Sequence, residues 1–188
     1  EPKTDLKDAL PRIVNAAFGY AGQSCISVQR IFLHESIAPR AAELIRGLTQ
    51  KLKVGEPLDE TADVGPLIDE AAACRVESWV QNAQQRGAKL LIGGLRHGSY
   101  FDPTLLTDVP ADDPLNTQEV FGPVAVITPY DDFDDALNQV NATRYGLQAG
   151  IFTRDLFKAR RAFERLDMGG VIINDVPTTR IDNMPYGG

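Results

Sequence analysis

A lone cysteine in a short polar bend is the residue of this chain best suited to covalent chemistry. Cys25 lies in a bend of small and polar residues, directly before the apolar run 30–33. A structural cysteine usually lies inside an apolar run, whereas a thiol at the start of a strand is accessible. Gly22 allows the backbone to approach a ligand closely, and the backbone N–H groups around Cys25 are candidates to face an oxyanion. These features predict a nucleophile at Cys25.

The elements that must position this cysteine alternate between helix and strand. Apolar residues at helical spacing predict helices over 8–20, 38–53, 69–86, 133–141 and 155–166. Short apolar runs predict strands over 28–34, 89–92, 124–129, 148–152 and 171–174, with 124–129 and 171–174 of the buried type. Pro103 argues that a further strand, within 101–109, lies at a sheet edge. The alternation predicts an α/β fold with a mostly parallel sheet flanked by helices.

Composition excludes several classes of function. The chain has 188 residues, of which 43% are hydrophobic and 24% charged, as in an ordinary globular domain. A net charge of −7 argues against nucleic acid as a partner. There is no run of about 18 apolar residues, so no membrane is expected as a partner. Two cysteines, Cys25 and Cys74, make no disulfide framework, which predicts a cytoplasmic location. No cluster has the spacing of metal ligands, so no metal is expected.

Four motifs follow one another along nearly the whole chain. The first is Gly22-Gln23-Ser24-Cys25 with Arg30 after it, and the others span 119–124, 145–153 and 170–174 followed by 185–188. Each motif alone is weak, but their order and spacing together resemble the aldehyde dehydrogenase superfamily. The sequence around the cysteine and the loop 175–184 are most similar to the branch that acts on small polar aldehydes, such as lactaldehyde, semialdehydes, and phosphorylated or phosphonate aldehydes. The resemblance implies the fold of an aldehyde dehydrogenase catalytic domain.

The resemblance also implies a role for each residue that matches a motif. Cys25 matches the nucleophile, which forms a thiohemiacetal and then a thioester. Glu119 matches the carboxylate that holds the nicotinamide ribose hydroxyls, and Phe121 matches the aromatic residue beside the nicotinamide ring. The implied cofactor is NAD or NADP. The implied reaction is the oxidation of an aldehyde to an acid.

Substrate contacts are implied for three residues near the end of the chain. Tyr186 matches an aromatic position that faces the substrate tunnel, and Asn174 opens the final loop. In the family that loop lines the tunnel, and here it carries Arg180, whose guanidinium suits a carboxylate or phosphate. We therefore expect Arg180, Tyr186 and Asn174 to bind a small polar or anionic aldehyde.

The domain organisation is likewise implied by the resemblance. Residues 1–188 match the catalytic, nucleophile-bearing domain of a longer chain, without most of the cofactor-binding domain. The family's general-base glutamate lies further upstream than the 24 residues before Cys25. The family's subunit-joining segment lies beyond Gly188. We expect the 188-residue chain to be inactive alone and its parent to be a homodimer or homotetramer.

Three other interpretations stay open from the sequence. The parent is alternatively a CoA-acylating or acyl-phosphate-reducing relative, a cysteine hydrolase, or a non-catalytic assembly domain. A hydrolase needs a histidine base near Cys25, and His34 and His97 are isolated residues expected at the surface. Cys74 lies beside alanines in a predicted helix and is expected to be a packing residue.

Overall fold

The computed structural model describes all of residues 1–188, along which helices are interspersed with strands. The six α-helices are α1 (Leu6–Phe18), α2 (Ala38–Thr49), α3 (Glu70–Gln85), α4 (Pro114–Thr117), α5 (Phe133–Asn141) and α6 (Leu156–Arg165). The eight strands are β1 (Arg30–His34), β2 (Lys89–Ile92), β3 (Arg96–His97), β4 (Tyr100–Phe101), β5 (Thr104–Thr107), β6 (Val124–Tyr130), β7 (Gln148–Ile151) and β8 (Gly170–Ile173). The five predicted helices are all present; α5 has the predicted ends, and each of the other four differs at one end or both by a few residues.

The largest sheet has four strands in the order β1–β6–β5–β2. β1 and β5 both pair with β6 in parallel, and β2 pairs with β5 antiparallel. Two small sheets complete the fold, an antiparallel β3–β4 hairpin and a parallel β7–β8 pair. Most strand pairings are therefore parallel and helices flank them, which confirms the α/β class. The predicted single sheet is divided into a four-stranded part and a separate β7–β8 pair.

The prediction of an edge strand within 101–109 is wrong. β5 lies between β6 and β2, inside the sheet. Pro103 comes just before the first residue of β5, so its missing N–H costs the strand ladder no hydrogen bond. Thr104 begins the strand by donating its backbone N–H to Pro123 O at 2.8 Å. The proline therefore marks the start of an inner strand.

Aspartates fix where most of the helices begin. Each of five aspartates accepts a hydrogen bond from a backbone N–H in the first turn of the following helix: Asp5, Asp69, Asp113, Asp132 and Asp155. Because Asp5 is such a cap, α1 begins at Leu6, ahead of the predicted start. α1 ends at Phe18, because Tyr20 and Ala21 have positive φ angles of 53° and 55°.

Most buried apolar side chains belong to one core between the four-stranded sheet and helices α1 to α3. This core joins 29 buried residues. A second cluster of three buried residues lies beside the β7–β8 pair: Leu137, Ala162 and Leu166. Because only this small cluster supports the pair, β8 is half-exposed. The prediction of a fully buried strand over 171–174 is therefore wrong.

A cleft separates the four-stranded sheet from the β7–β8 pair. β1 pairs only with β6, and β7 pairs only with β8, so each strand leaves one edge unpaired. Both strands line a cavity of about 630 Å³, to which α1 and α5 contribute apolar side chains. The loops that precede β1, β6 and β7 also open on this cavity. All four sequence motifs therefore contribute to one cleft, the fourth through Gly188.

Candidate active site

The predicted nucleophile lies at the tip of a tight turn. The turn that carries Cys25 closes where Ser27 donates its backbone N–H to Ser24 O at 3.0 Å. The Ser27 hydroxyl anchors it, since its oxygen lies 3.2 Å from the carbonyl oxygens of both Ala16 and Ala17 at the end of α1. Cys25 is exposed, as predicted, and its backbone N–H donates to no group of the protein. The turn thus presents a thiol and a free N–H together.

Glycine contacts hold this turn against a second loop. Gly22 has a φ angle of +67°, and a Cβ there would lie 2.5 Å from the carbonyl carbon of Gly122 and 3.0 Å from Pro123 N. Neither the backbone angle nor the space admits a larger residue without strain. Gly22 therefore makes a close backbone approach to the 119–123 loop, and it also lines the cavity.

Gln29 fixes the same loop from the start of β1. Its Nε2 donates to the carbonyl oxygens of Leu115 and Gln118, each at 2.8 Å, and its Oε1 accepts the Val120 N–H at 2.9 Å. Three backbone groups are thus held by one side chain that is itself only half-buried. The sequence does not predict this role. Its one local indication is that Gln29 is a polar residue between Val28 and the strand.

Glu119 and Phe121 lie on the loop that Gln29 fixes. Phe121 has a positive φ angle of 48°, which is strained for an aromatic residue, and its ring is 41% exposed. The Glu119 side chain is exposed and has no hydrogen-bond partner in the protein. Both residues line the same cavity as Cys25. The fold therefore brings together three of the predicted site residues.

The closing loop places Tyr186 on the cysteine. Tyr186 Oη lies 3.1 Å from Cys25 Sγ. The guanidinium carbon of Arg180 lies 4.6 Å from the centre of the Tyr186 ring, a cation–π contact. Arg180 also lies 4.0 Å from Asp182, but both side chains are exposed, so this ion pair is weak. The hydrogen bond with Cys25, desolvation and the charge of Cys25 raise the pKa of Tyr186, while the charge of Arg180 opposes that rise.

The structure does not bring Asn174 to the cysteine. Asn174 follows β8 with a positive φ angle of 59°, and its Oδ1 accepts the Thr153 N–H at 2.9 Å. Its carbonyl oxygen accepts from Arg12 at 3.4 Å. These contacts lie at the carboxyl ends of β7 and β8, whereas Cys25 precedes β1. Asn174 therefore joins backbone segments, and its contact with substrate stays a prediction that this placement does not favour.

Arg30, the arginine of the first motif, supports a helix. Its guanidinium donates to the carbonyl oxygens of Gln139 and Val140, at 3.2 and 3.1 Å, at the end of α5. A cation is favourable at a helix carboxyl terminus. Desolvation by burial lowers the pKa of Arg30. The motif thus joins the start of β1 to α5 and forms part of the cavity wall.

The remaining reactive side chains lie apart from the predicted nucleophile. Cys74 is exposed on α3, so its predicted packing role is wrong; the buried face of that helix consists of Ala73, Val76, Val80 and Ala83. His34 is half-buried at the end of β1, with its ring edge-on to Tyr130, and only His97 lies at the surface as predicted. No three His, Cys, Asp or Glu side chains are grouped as metal ligands would be. No helix combines the length and the apolar character needed to cross a membrane.

The sequence model of the aldehyde dehydrogenase family matches the chain over residues 1–188. The chain belongs to the aldehyde dehydrogenase family. Among curated relatives, the 3-sulfolactaldehyde dehydrogenase of Priestia megaterium is 46% identical over 184 residues, which cover 98% of this chain and 39% of that protein. The lactaldehyde dehydrogenase of Methanococcus vannielii is 42% identical over 185 residues, which cover 98% of this chain and 40% of that protein. The resemblance given by the four motifs is thereby confirmed.

Solved aldehyde dehydrogenases share the fold of this chain. Aldehyde dehydrogenase 21 of Physcomitrella patens, in complex with the reaction product succinate, matches with a TM-score of 0.96 and 45% identity over 98% of this chain and 38% of its own. The glyceraldehyde-3-phosphate dehydrogenase GapN of Methanocaldococcus jannaschii, complexed with NADP, matches with a TM-score of 0.94 and 43% identity, over 98% of this chain and 40% of its own. The betaine aldehyde dehydrogenase of Staphylococcus aureus, in complex with NAD+, matches with a TM-score of 0.93 and 29% identity, over 98% of this chain and 38% of its own. The chain thus spans 38–40% of the length of these relatives.

Proposed function

We propose that residues 1–188 are the nucleophile-bearing catalytic domain of an NAD(P)-dependent aldehyde dehydrogenase that oxidises a small polar or anionic aldehyde to an acid. The observation that carries this proposal is the meeting of Cys25, Glu119 and Phe121 at one cavity, from loops far apart in the sequence. Membership of the family supports the same function.

Cys25 is the proposed nucleophile. Its thiolate Sγ bonds to the aldehyde carbon, and the carbonyl oxygen becomes the alkoxide of a tetrahedral thiohemiacetal. The unpaired backbone N–H of Cys25 is available to donate to that oxygen, and one such donor is worth about 3 kcal/mol in the transition state. Loss of hydride from the carbon leaves a thioester on Sγ. Attack by water then breaks the C–S bond, releases the acid and restores the thiol.

Glu119 and Phe121 are the proposed contacts for the nicotinamide half of NAD or NADP. The exposed Glu119 carboxylate has the two acceptor oxygens that a ribose diol requires, and the exposed Phe121 ring offers an apolar face to a flat ring. The dinucleotide, when bound, supplies the hydride acceptor. Because GapN is complexed with NADP and the betaine aldehyde dehydrogenase with NAD+, the proposal includes both cofactors.

Arg180 and Tyr186 are the proposed substrate contacts. The Arg180 guanidinium is half-exposed and only weakly paired, so it is available to an anionic group at the entrance of the site. Tyr186 places its ring beside the nucleophile. The names of the relatives support substrates of this kind, since they refer to 3-sulfolactaldehyde and lactaldehyde, and the Physcomitrella enzyme was solved with succinate.

The cleft supports the assignment of the chain to one domain of a longer enzyme. The free edges of β1 and β7 face each other across an apolar cavity, which suits an additional buried strand. Glu1 lies at the carboxyl ends of the strands, where it contacts Tyr130 and Lys158. A strand that precedes Glu1 would run parallel to β1, and α1 would be the crossover helix of a βαβ unit. We infer that the longer enzyme completes this sheet and that the 188-residue chain alone is inactive.

The parent enzyme is further proposed to be a cytoplasmic homodimer or homotetramer. Both cysteines are free thiols, which suits a reducing compartment. Leu156, Phe157 and Phe163 on α6 are 81%, 85% and 70% exposed, which suits contact with another subunit.

The test uses the full-length parent with lactaldehyde, 3-sulfolactaldehyde and succinate semialdehyde, each with NAD+ and NADP+. We expect reduced nicotinamide, followed by its absorbance, and the matching acid, identified by mass spectrometry. Cys25→Ser is expected to abolish both products, whereas Cys74→Ser, the control on the surface of α3, retains them. Wild-type rates in Cys25→Ser would refute the proposed nucleophile. An acyl-CoA product formed when CoA is added would favour the CoA-acylating alternative.

A further inference from the structure

The hydroxyl of Tyr186 has no role in the chemistry described so far. An aromatic ring beside the substrate needs no hydroxyl, and a phenylalanine would supply the same apolar face. Yet Tyr186 Oη lies 3.1 Å from Cys25 Sγ, although the two residues are 161 positions apart in the chain. The closing loop thus places a polar group on the sulfur itself.

The hydrogen bond acquires a direction when the thiol ionises. A thiol ordinarily ionises near pH 8.5 and a phenol near pH 10. The contact with Cys25 raises the pKa of Tyr186 above its ordinary value. A thiolate has no proton to donate, so in this contact the Tyr186 hydroxyl donates and the Cys25 thiolate accepts. A hydrogen bond to an ionised acceptor is stronger than one between neutral groups.

Arg180 is placed to strengthen this donor. Its guanidinium carbon lies 4.6 Å from the centre of the Tyr186 ring. A positive charge over the ring draws electron density from the phenol oxygen, and accordingly Arg180 acts to lower the pKa of Tyr186. Asp182, at 4.0 Å from Arg180, is too exposed to neutralise this charge. Arg180 therefore contacts Tyr186, and Tyr186 in turn contacts Cys25.

We propose that Tyr186, held beneath Arg180, is a positioning residue that donates its hydroxyl proton in a hydrogen bond to the Cys25 thiolate. The bond stabilises the negative charge on the sulfur and orients Sγ in the site. The inference rests on the proposed function in taking Cys25 as the nucleophile. When Sγ bonds to the aldehyde carbon, the sulfur loses its charge and the hydroxyl is released from it.

Alkylation by iodoacetamide tests the proposal, because its rate follows the thiolate and requires neither aldehyde nor cofactor. Rates are measured across pH in the 188-residue chain carrying Cys74→Ser, with and without Tyr186→Phe. We expect Tyr186→Phe to lower the ratio of the rate at about pH 7 to that at about pH 10 by roughly threefold to tenfold, a modest effect because the contact is partly exposed. At high pH the rate should hold or rise, since an unbonded thiolate is the stronger nucleophile.

Tyr20→Phe is the matched control. Tyr20 is 87% exposed and its hydroxyl does not contact the sulfur, so the pH profile should not change. Thermal unfolding of each variant confirms that it is folded. An unchanged ratio in Tyr186→Phe, or one common factor at every pH, overturns the proposal, because a merely structural role would act at all pH values alike.

Arg180→Gln provides a second variant that leaves the hydroxyl in place. We expect it to lower the same ratio by about twofold, since it removes the charge that strengthens the donor. A higher ratio would contradict the role given to Arg180. The assay separates the two proposals: a lower ratio in Tyr186→Phe, combined with full dehydrogenase activity in Cys25→Ser, would uphold the contact and refute the proposed function.

Discussion

Replacement of Gly22 by alanine is expected to destabilise the fold and to separate two loops of the candidate site. The left-handed φ angle of +67° costs an L-residue about 1–2 kcal/mol. The new Cβ would lie 2.5 Å from the Gly122 carbonyl carbon and 3.0 Å from Pro123 N, so the loops must move apart. Overpacking of this kind costs about 1–3 kcal/mol. The sum is a loss of about 2–5 kcal/mol, which lowers the melting temperature by roughly 4–20 °C for a chain of this size.

Thermal and urea unfolding measure this loss, and Gly47→Ala is the control. Gly47 lies inside α2, and a Cβ there meets no atom within 4 Å, so alanine should stabilise the fold by about 0.5–1 kcal/mol. In the parent, Gly22→Ala should also reduce the rate of aldehyde oxidation, because the turn with Cys25 and the loop with Glu119 lose their common support. An unfolding free energy for Gly22→Ala within about 0.5 kcal/mol of the unmodified chain would show that the two loops are not tightly packed.

Three further predictions concern cofactor and substrate. The isolated chain should bind NAD or NADP weakly or not at all by calorimetry, because Glu119 and Phe121 are proposed to contact only the nicotinamide half; a dissociation constant of about 1 μM, or about −8 kcal/mol, would contradict this. In the parent, Gln29→Leu should raise the KM for the cofactor severalfold more than the KM for the aldehyde, because three hydrogen bonds to the Glu119 loop are lost; equal changes in steady-state kinetics would reject that role. Arg180→Ala should lower kcat/KM by about tenfold for an anionic aldehyde and little for a neutral one of similar size, whereas an equal loss for both would reject selection by charge.

Features governed by local chemistry could be predicted from the sequence. Apolar residues at helical spacing identify the helices, and α5 is found with the predicted ends. The polar bend before an apolar run indicates an accessible Cys25, which the structure shows at the tip of a turn. These signals act over a few residues, so one sequence is sufficient to detect them.

Features governed by long-range contacts could not be predicted. The inner position of β5 depends on its pairing with both β6 and β2, and Pro103 alone does not indicate that pairing. Gln29 acts on a loop about 90 residues away, and nothing in its own neighbourhood indicates this. Cys74 lies on the exposed side of α3, because the opposite side of that helix packs its alanines and valines against the core.

The position of the candidate site explains why Tyr186 contacts Cys25 whereas Asn174 does not. Open α/β sheets usually bind ligands at the carboxyl ends of their strands. Here Cys25 precedes β1, so the site lies at the amino ends, and a strand-ending residue such as Asn174 lies at the far side. The carboxyl ends are occupied instead by the first residues of the chain, where Thr4 donates its hydroxyl to Phe152 O at 2.8 Å.

The closing segment 175–188 connects these two ends of the strands. It leaves the carboxyl end of β8, buries Val176 in the main core, and returns to the amino end of β7, where a Cβ at Gly188 would lie 2.6 Å from Gly146 O. Tyr186 reaches Cys25 because of this return path. Since the segment contributes no strand to the sheet, substitutions in it, at Arg180 for example, can alter the surroundings of the proposed nucleophile while the sheet stays the same. The proposed selection of aldehydes by Arg180 would therefore act in a segment that lies outside the sheet.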